Sequence, residues 1–265
     1  MSKVEFRNKT LLITGGGSGI GEALAYQFAQ RGTNVILVGR NENSLKRVQE
    51  NCLRLGVKAW YKTADMENPE SIDSLVEYIL KEGFRIDFFV LNAGVSQRAR
   101  TLETDISIDR KLMEVNYFGG VYLIKSLKDM LLSAEKAHIA VTSSISGLFG
   151  FPLRSAYCAS KHAQHGFYEA LALEYPHIKV TLLIPGRIRT EISKSAILAS
   201  GEKFGEMDPG QANGMDVTKC AKVAINAIAR EKHQKLIGGK ELLMAHFHRY
   251  IPKLFWFLAG KVSAR

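Results

Sequence analysis

The stretch TLLITGGGSGIG, from Thr10 to Gly21, decides the fold of this 265-residue chain. Its first five residues form a short apolar run typical of a buried strand, and a glycine-rich turn follows directly. Glycine permits a tight turn and lets the backbone approach a phosphate closely. A helix predicted from about Gly21 to Gln30 would point free N–H groups and its positive dipole end at that phosphate. The stretch therefore predicts a unit that binds a dinucleotide, with a purely structural turn as the alternative.

Apolar runs alternate with helical segments along the rest of the chain. We predict further strands near residues 34–38, 57–61, 87–91, 137–142, 179–184 and 236–237, and long helices over about 106–132 and 155–174. This alternation indicates right-handed βαβ crossovers and a parallel sheet with both faces covered. We predict an α/β fold, a single doubly wound Rossmann-type domain over residues 1–240 with a parallel sheet of about seven strands. Ligands in such folds bind beyond the carboxyl ends of the strands.

The composition limits the classes of function. Hydrophobic residues make up 46% of the chain, which is enough for a substantial core. The net charge of +10 is scattered and matches no nucleic-acid-binding motif, so we expect no nucleic-acid partner. The three separated cysteines, Cys52, Cys158 and Cys220, indicate no disulfide framework and no metal site. Because the sequence shows neither an apolar leader nor a run that could span a membrane, we expect a cytoplasmic protein, at most peripheral to a membrane.

The end of the second predicted strand bears on which dinucleotide binds. An acid there would favour NAD by accepting hydrogen bonds from the ribose 2′-OH. This chain instead has Gly39 and Arg40, which leave room for a 2′-phosphate and offer it a guanidinium. We therefore predict NADP(H), with a solvated loop arginine as the alternative. Asp65, after the third strand, is a candidate partner for the adenine amino group or, alternatively, an acid at a helix N-terminus.

Tyr157 and Lys161 are four residues apart, so a helix would place them on one face. The ammonium of Lys161 would stabilise the phenolate and lower the pKa of Tyr157 from its ordinary value of about 10. Tyr157 could then act as the general acid in a reduction or the general base in an oxidation. Ser144 follows a strand and could hold the substrate oxygen beside the phenol, with Ser143 as the alternative hydroxyl.

Taken together, these patterns resemble the short-chain dehydrogenase/reductase family over about residues 8–240. The matching motifs are Thr14-Gly15-x3-Gly19-Ile20-Gly21, Asn92-Ala93-Gly94, Asn116, Ser144, Tyr157-x3-Lys161 and Pro185-Gly186-x3-Thr190. The basic-residue pattern at Gly39-Arg40 is similar to that of the NADP-preferring branch of the family. The resemblance implies hydride transfer between a nicotinamide and a ketone or secondary alcohol, in a homodimer or homotetramer. It also implies that Asn116 holds a water that connects Lys161 to solvent; the alternative is that Asn116 only satisfies helix backbone.

The candidate site residues form three groups. The catalytic candidates are Asn116, Ser144, Tyr157 and Lys161. The candidates for cofactor binding are Gly15, Gly17, Ser18, Gly19, Ile20, Gly21, Arg40, Asp65, Asn92, Ala93, Gly94, Tyr157, Lys161, Pro185, Gly186, Ile188 and Thr190. The candidates for substrate binding are Ser144, Ser146, Phe151 and Tyr157. Thr190 and the backbone at Ile188 would bind the nicotinamide carboxamide, and Thr190 could equally cap a helix.

The substrate side is less sharply defined by the sequence. Residues 187–215 contain four glycines and are predicted to form a lid that excludes water when it closes. Five residues that follow strand ends are predicted to line the pocket: Val95, Ser146, Phe149, Phe151 and Leu153. Their apolar character favours a lipophilic small-molecule carbonyl or alcohol. The alternative for Phe149 and Phe151 is a place in the core or in a subunit contact.

Residues 241–265 form a tail that is predicted to be helical and interrupted at Pro252. From Leu242 onward the tail has many aromatic residues, the basic residues Arg249, Lys253, Lys261 and Arg265, and no acid. This mixture is typical of a segment that lies on an anionic membrane, and it resembles the C-terminal ends of some hydroxysteroid-type reductases. The alternative is a helix packed against a second subunit.

Two further functional classes stay open beside the enzyme. A non-catalytic NADP-binding regulator would keep the glycine turn but would not need Ser144, Tyr157, Lys161 and Asn116 together. An interaction module that uses the aromatic tail could coexist with catalysis.

Overall fold

Seven parallel strands form one sheet in the order β3-β2-β1-β4-β5-β6-β7, which confirms the predicted doubly wound fold. The computed structural model describes residues 4–259. The strands are β1 Thr10–Thr14, β2 Asn34–Gly39, β3 Ala59–Thr63, β4 Phe88–Leu91, β5 Ala137–Thr142, β6 Ile178–Pro185 and β7 Gln234–Ile237. The chain turns back across the sheet between β3 and β4. The carboxyl ends of β1 and β4 therefore flank the switch point, where ligands bind in such sheets.

Helices cover both faces of the sheet. They are α1 Gly19–Ala29, α2 Glu42–Arg54, α3 Pro69–Lys81, α4 Ile106–Met113, α5 Gly119–Ser126, α6 Lys128–Ser133, α7 Ser155–Glu174, α8 Pro209–Ala212, α9 Val217–Ala229, α10 Leu243–Tyr250 and α11 Pro252–Ala259. Alternate residues of each buried strand face opposite layers. Leu11 and Ile13 pack with α1, α2 and α9, whereas Leu12 packs on the other face with α3, α5 and α11.

The long helix predicted over 106–132 is wrong in its continuity. It is divided into α4, α5 and α6 by a wide π turn over Glu114–Phe118 and by a break at Leu127. The π turn contains Asn116, whose side chain hydrogen-bonds the backbone of Val95. A single π turn of this kind is frequent at functional sites, because it aims one side chain out of the regular helical register.

The tail is helical and is interrupted at Pro252, as predicted. Proline lacks the N–H of a regular helix and disfavours helical backbone in the preceding residue, which is why α10 ends before Ile251. Phe255 of α11 is 1% exposed and contacts the rings of Phe149 and His248. Across residues 4–259, no helix is long and apolar enough to cross a membrane. The predicted basic residues Lys261 and Arg265 lie outside the described residues.

Candidate functional site

A cavity of about 960 Å³ lies at the carboxyl ends of the strands and brings most of the predicted site residues together. Its wall includes Gly15, Gly17, Ser18, Gly19, Ile20, Arg40, Asp65, Asn92, Ala93, Gly94, Ser144, Ser146, Phe151, Tyr157, Lys161, Pro185, Gly186, Ile188 and Thr190. Two predicted residues, Gly21 and Asn116, do not line it. They lie behind the wall, where they shape the backbone of residues that do.

The glycine turn between β1 and α1 has the backbone that only glycine adopts easily. Gly15 and Gly19 have φ values of +65° and +55°. A Cβ atom on Gly21 would lie 2.2 Å from the carbonyl oxygen of Gly15, so the first turn of α1 packs directly against the loop. Ser18 precedes α1, and its hydroxyl does not cap the helix. The turn therefore leaves the helix start and the Ser18 hydroxyl facing the cavity, an arrangement that fits the phosphates of a dinucleotide.

Hydrogen bonds join the ends of β1 and β4 beneath this turn. The hydroxyl of Thr14 accepts from the backbone N–H groups of Asn92 and Ala93, at 3.0 and 3.1 Å. The amide nitrogen of Asn92 donates to the carbonyl oxygens of Thr14 and Gly15. A Cβ atom on Gly15 would lie 2.9 Å from that nitrogen. The Asn92-Ala93-Gly94 sequence thus fixes the turn from below, in addition to forming part of the cavity wall.

Arg40 and Asp65 lie together at one end of the cavity. A guanidinium nitrogen of Arg40 is 3.8 Å from Asp65 Oδ2, and the Arg40 side chain is 61% exposed. Asp65 Oδ1 accepts a hydrogen bond from the backbone N–H of Glu67, just before α3. An exposed pair at this distance is weak, so Arg40 can turn toward a phosphate at small energetic cost. The geometry fits both the cofactor role and the helix-terminus alternative for Asp65.

Tyr157 and Ser144 meet on the cavity wall below the strand ends, and both are buried. Burial raises the pKa of Tyr157, while a hydrogen bond from Ser144 and the charge of Arg154 lower it and only partly offset the effect of burial. The expectation that the protein lowers the pKa of Tyr157 is therefore wrong for the groups in this chain. Because the low-polarity surroundings disfavour the phenolate, Tyr157 keeps its proton.

Lys161 lies on the same face of α7 as Tyr157, as predicted. Its Nζ is 5.7 Å from the centre of the Tyr157 ring and donates to the carbonyl oxygen of Thr142 at 2.8 Å. Burial lowers the pKa of Lys161 from 10.5 to about 7. Its influence on the pKa of Tyr157 is smaller than predicted, because burial disfavours the charged form of the lysine and its Nζ is turned toward Thr142.

Asn116 holds the loop after β4 in place. Its amide oxygen accepts from the backbone N–H of Val95 at 2.8 Å, and its amide nitrogen donates to the carbonyl oxygen of Val95 and to the hydroxyl of Ser160. A Cβ atom on Gly94 would lie 3.0 Å from the Asn116 oxygen and 3.6 Å from Lys161 Nζ. Asn116 thus bonds the backbone of the loop after β4 and not helix backbone, and only Gly94 lies between it and Lys161 Nζ. Its role in holding a water stays a prediction.

Val95, Ser146, Phe149 and Phe151 line the cavity, and the part of the wall that they form is here called the substrate end after its predicted ligand. Leu153 is not part of this wall. Its φ of +63° is unusual for a branched side chain, and its carbonyl oxygen accepts from the backbone N–H of Ala99. Phe149 also contacts Phe255, so one side of the ring faces the cavity and the other belongs to the core.

Backbone hydrogen bonds tie residues 187–215, the predicted lid, to the rest of the site. Ile197 exchanges bonds with Ser96 and Arg98, and Met215 exchanges bonds with the start of the same segment. The methyl group of Thr190 would be 3.5 Å from a Cβ atom on Gly19. The segment therefore starts beside the glycine turn and covers the site from there.

Several charged residues on the cavity wall were not among the predicted site residues, and Arg154 and Asp208 are two of them. Arg98 and Arg154 both contact the carboxylate of Asp208, from segments more than fifty residues away. No motif marks such a group. The one signal in the sequence is that Arg154 lies three residues before Tyr157.

Among the described residues, no group of histidine, cysteine or acidic side chains could hold a metal ion. Cys52, Cys158 and Cys220 are buried and unbridged.

Comparisons with known proteins agree with this geometry. A family model described as short chain dehydrogenase matches residues 9–199. A Drosophila melanogaster protein named dehydrogenase/reductase SDR family protein 7-like is 36% identical, over 98% of this chain and 83% of its own length. The Mus musculus dehydrogenase/reductase SDR family member 7B is 34% identical, over 96% of this chain and 81% of its own length.

Solved structures show the same fold. A short-chain dehydrogenase/reductase from Burkholderia phymatum, in complex with NAD, has a TM-score of 0.83 and 24% identity, over 95% of this chain and 96% of that one. A short-chain dehydrogenase from Sphingobium yanoikuyae, in complex with NADPH, has a TM-score of 0.76 and 24% identity, over 97% of both chains. Structures with this fold therefore include complexes with either nucleotide.

Proposed function

The chain belongs to the short-chain dehydrogenase/reductase family, and we propose that it is an NADP(H)-dependent oxidoreductase acting on a ketone or secondary alcohol. The observation that carries this proposal is that Tyr157, Ser144 and Lys161 share one cavity with the glycine turn. Tyr157 would be the proton donor, Ser144 the hydroxyl that binds the substrate oxygen, and the glycine turn the phosphate site that such a reaction needs.

The residues of this chain would handle the proton and the substrate oxygen. When bound, NADPH supplies the hydride that reduces the carbonyl carbon. The hydroxyls of Ser144 and Tyr157 would both donate hydrogen bonds to the carbonyl oxygen, and Tyr157 would transfer its proton as negative charge develops there. Burial raises the pKa of Tyr157 and so keeps the phenol in the protonated form from which it would act as the acid. In the oxidation direction the same group would act as the base.

The choice of NADP(H) rests on Arg40 and Gly39. A Cβ atom on Gly39 would meet only the side chain of Leu45, at 3.5 Å or more. The exposed guanidinium of Arg40 is held by a single long contact with Asp65. A 2′-phosphate placed here would gain a charge-assisted hydrogen bond, whereas no acid follows β2 directly to accept from a free 2′-OH.

A lipophilic substrate is supported by the apolar wall of Val95, Phe149 and Phe151, which Met244 of α10 extends. The panel that tests the proposal contains ketones of increasing chain length and some polar ketones, each assayed with NADPH and with NADH. We expect NADPH oxidation that becomes more efficient as the ketone becomes longer and more apolar. Equal rates with small polar ketones would overturn the substrate assignment. A preference for NADH would overturn the cofactor assignment.

We further propose that the tail lies on an anionic membrane surface. Tyr250 and Trp256 are each 71% exposed and lie beside the basic residues Arg249 and Lys253. Phe255, on the same helix as Trp256, packs in the core. Aromatic rings and basic side chains on one exposed segment suit an interface with anionic lipid. The enzyme would otherwise be cytoplasmic and self-associated as a dimer or tetramer.

Vesicle binding and size-exclusion mass together test the tail. Trp256→Ser should weaken binding to vesicles containing phosphatidylserine and leave the oligomer unchanged. A smaller oligomer with unchanged vesicle binding would instead show that the tail packs against a second subunit.

A further inference from the structure

Arg154 is a largely buried cation with few partners. Its side chain is 17% exposed and lines the substrate end of the cavity. One guanidinium nitrogen donates to the hydroxyl of Ser96 at 2.9 Å, and another is 3.6 Å from Asp208 Oδ2. A guanidinium has five N–H donors, so most of the hydrogen-bonding capacity of Arg154 is unused. Buried charges are normally paired more completely than this.

The carboxylate of Asp208 is engaged more closely by other groups. Its Oδ2 atom is 2.8 Å from Arg98, and its Oδ1 atom accepts from the backbone N–H of Gly210 at 2.8 Å, which caps α8. Arg154 shares the oxygen that Arg98 already holds at the shorter distance. Asp208 therefore neutralises Arg154 only in part, and a positive charge remains at the cavity wall.

The other charged groups near this end of the cavity are either paired or, like Arg187, exposed to solvent. Arg189 is 3.2 Å from Asp216, and Glu191 is 2.7 Å from Lys194. Glu241 accepts from the backbone N–H groups of residues 187 and 239. Lys240 is exposed to solvent. Arg154 is thus a half-buried guanidinium that is only partly paired, whereas the more deeply buried Lys161 on the same wall donates to the carbonyl oxygen of Thr142.

The position of Arg154 relates it to the reacting atoms. It directly precedes α7 and lies three residues before Tyr157, within one helical turn. Its charge is felt at Tyr157, although burial has the larger effect on the pKa of that residue. The rings of Phe149 and Phe151 line the same end of the cavity. An apolar wall and a cation therefore flank the place where the carbonyl oxygen would bind.

We propose that the substrate is an amphiphilic ketone, with an apolar chain against Phe149 and Phe151 and an anionic group held by Arg154. A carboxylate or a phosphate monoester matches the planar fork of a guanidinium, and either would complete the pairing that Asp208 leaves unfinished. This inference rests on the proposed function and narrows its substrate class.

Ligand binding without turnover tests the inference separately from the proposed reaction. NADP+ binding is measured first. The probes decanoate, decyl phosphate and 1-decanol are then each titrated into the protein by calorimetry. We expect at least one anion to bind about tenfold more tightly than the alcohol, and the stronger of the two identifies the anionic group. The probes undergo no reduction, so their binding is measured independently of turnover. If the protein binds them as expected but reduces no ketone, the proposed function fails while this inference stands.

Three variants assign the preference to Arg154. Arg154→Gln should bring the affinities of the anions and the alcohol to within about twofold of each other. Asp208→Asn should strengthen anion binding, because asparagine still caps α8 but no longer neutralises Arg154. Arg110→Gln removes an exposed arginine that does not line the cavity and should change nothing. Equal binding of all three probes, a preference that survives in Arg154→Gln, or weaker anion binding in Asp208→Asn would overturn the inference.

Discussion

The two ends of the cavity are built in different ways. One end contains the glycine turn and Arg40 and is here called the cofactor end after its proposed ligand. Its wall consists of short turns at the ends of adjacent strands, fixed by Thr14, Asn92 and the glycines. At the substrate end, the wall comes from segments far apart in sequence: the loop after β5, residues 187–215, and the tail. Phe149, for example, is held by Phe255, more than one hundred residues later.

The difference teaches which interactions local sequence determines. The cofactor end is determined largely by strands that end in glycine turns. Strand direction and backbone geometry place the backbone groups of these turns at one edge of the sheet. The substrate end depends on tertiary packing and on charge pairs such as Arg98 with Asp208. Substitutions at the cofactor end should therefore act through backbone sterics and phosphate contacts, and substitutions at the substrate end through packing.

The largest expected effect is at the substrate end. Phe255→Ala should destabilise the whole domain by about 3–4 kcal/mol, because the ring is 1% exposed in the core that α11 shares with the sheet. Trp256→Ala, one residue further along, should cost less than about 0.5 kcal/mol, because that ring is exposed. Urea unfolding measures both. If Phe255→Ala left global stability unchanged, the tail would be an appendage and not part of the core.

The next prediction compares alanine substitutions at two glycines that lie in helices, Gly21 and Gly166. Gly21→Ala should cost about 2–3 kcal/mol and impair NADPH binding, because its Cβ would lie 2.2 Å from a backbone oxygen that cannot move freely. Gly166→Ala on α7 should instead stabilise by about 0.5–1 kcal/mol, since a Cβ there meets nothing within 4 Å and alanine favours helix. Thermal unfolding and NADPH titration check both variants. Equal effects of the two substitutions would contradict the close packing of α1 on the turn.

The lowered pKa of the buried Lys161 predicts that the free energy of unfolding depends on pH. Its pKa is 10.5 in the unfolded chain and about 7 in the folded one, because burial disfavours the charge. Between these values the unfolded state binds more protons, so the contribution of Lys161 to stability rises with pH. The free energy of unfolding of the wild type, relative to Lys161→Met, should rise by about 1 kcal/mol per unit between pH 7.5 and 9.5. Parallel pH profiles for the two proteins would show that Lys161 is not buried as a neutral amine.

The smallest predicted effect concerns the choice of nucleotide. Arg40→Ala should weaken NADPH binding about tenfold and leave NADH binding unchanged, because only the 2′-phosphate loses a partner. Arg54→Ala is a matched control, since Arg54 is exposed on α2, pairs with Glu50 and does not line the cavity. Fluorescence titration measures both nucleotides. An equal loss for NADPH and NADH would assign Arg40 to general electrostatics and not to the 2′-phosphate.

The sequence predicted the fold and the cofactor end in detail for a physical reason. Apolar strands, Gly15, Gly19 and the spacing of Tyr157 and Lys161 are local patterns, and the parallel sheet brings their ends to one edge. The π turn around Asn116 was not predictable, because it depends on the partner of that side chain, Val95. The raised pKa of Tyr157 was missed because the effect of burial depends on the final packing.

At the substrate end, the sequence predicted most of the apolar wall residues but not the charged ones. Aromatic residues near Phe149 indicated an apolar wall, and that wall is present. The sequence did not show that Leu153 has a positive φ or that Arg154 and Asp208 meet, because both depend on contacts between segments far apart in sequence.

The proposed function depends most directly on Tyr157 being the residue that transfers the proton. The decisive measurement is the rate of NADPH oxidation with a long-chain ketone, compared between the wild type, Tyr157→Phe and the control Tyr175→Phe. We predict a loss of about a thousandfold in kcat for Tyr157→Phe, with NADPH affinity preserved, and a rate near that of the wild type for Tyr175→Phe. Wild-type turnover in Tyr157→Phe would contradict the account.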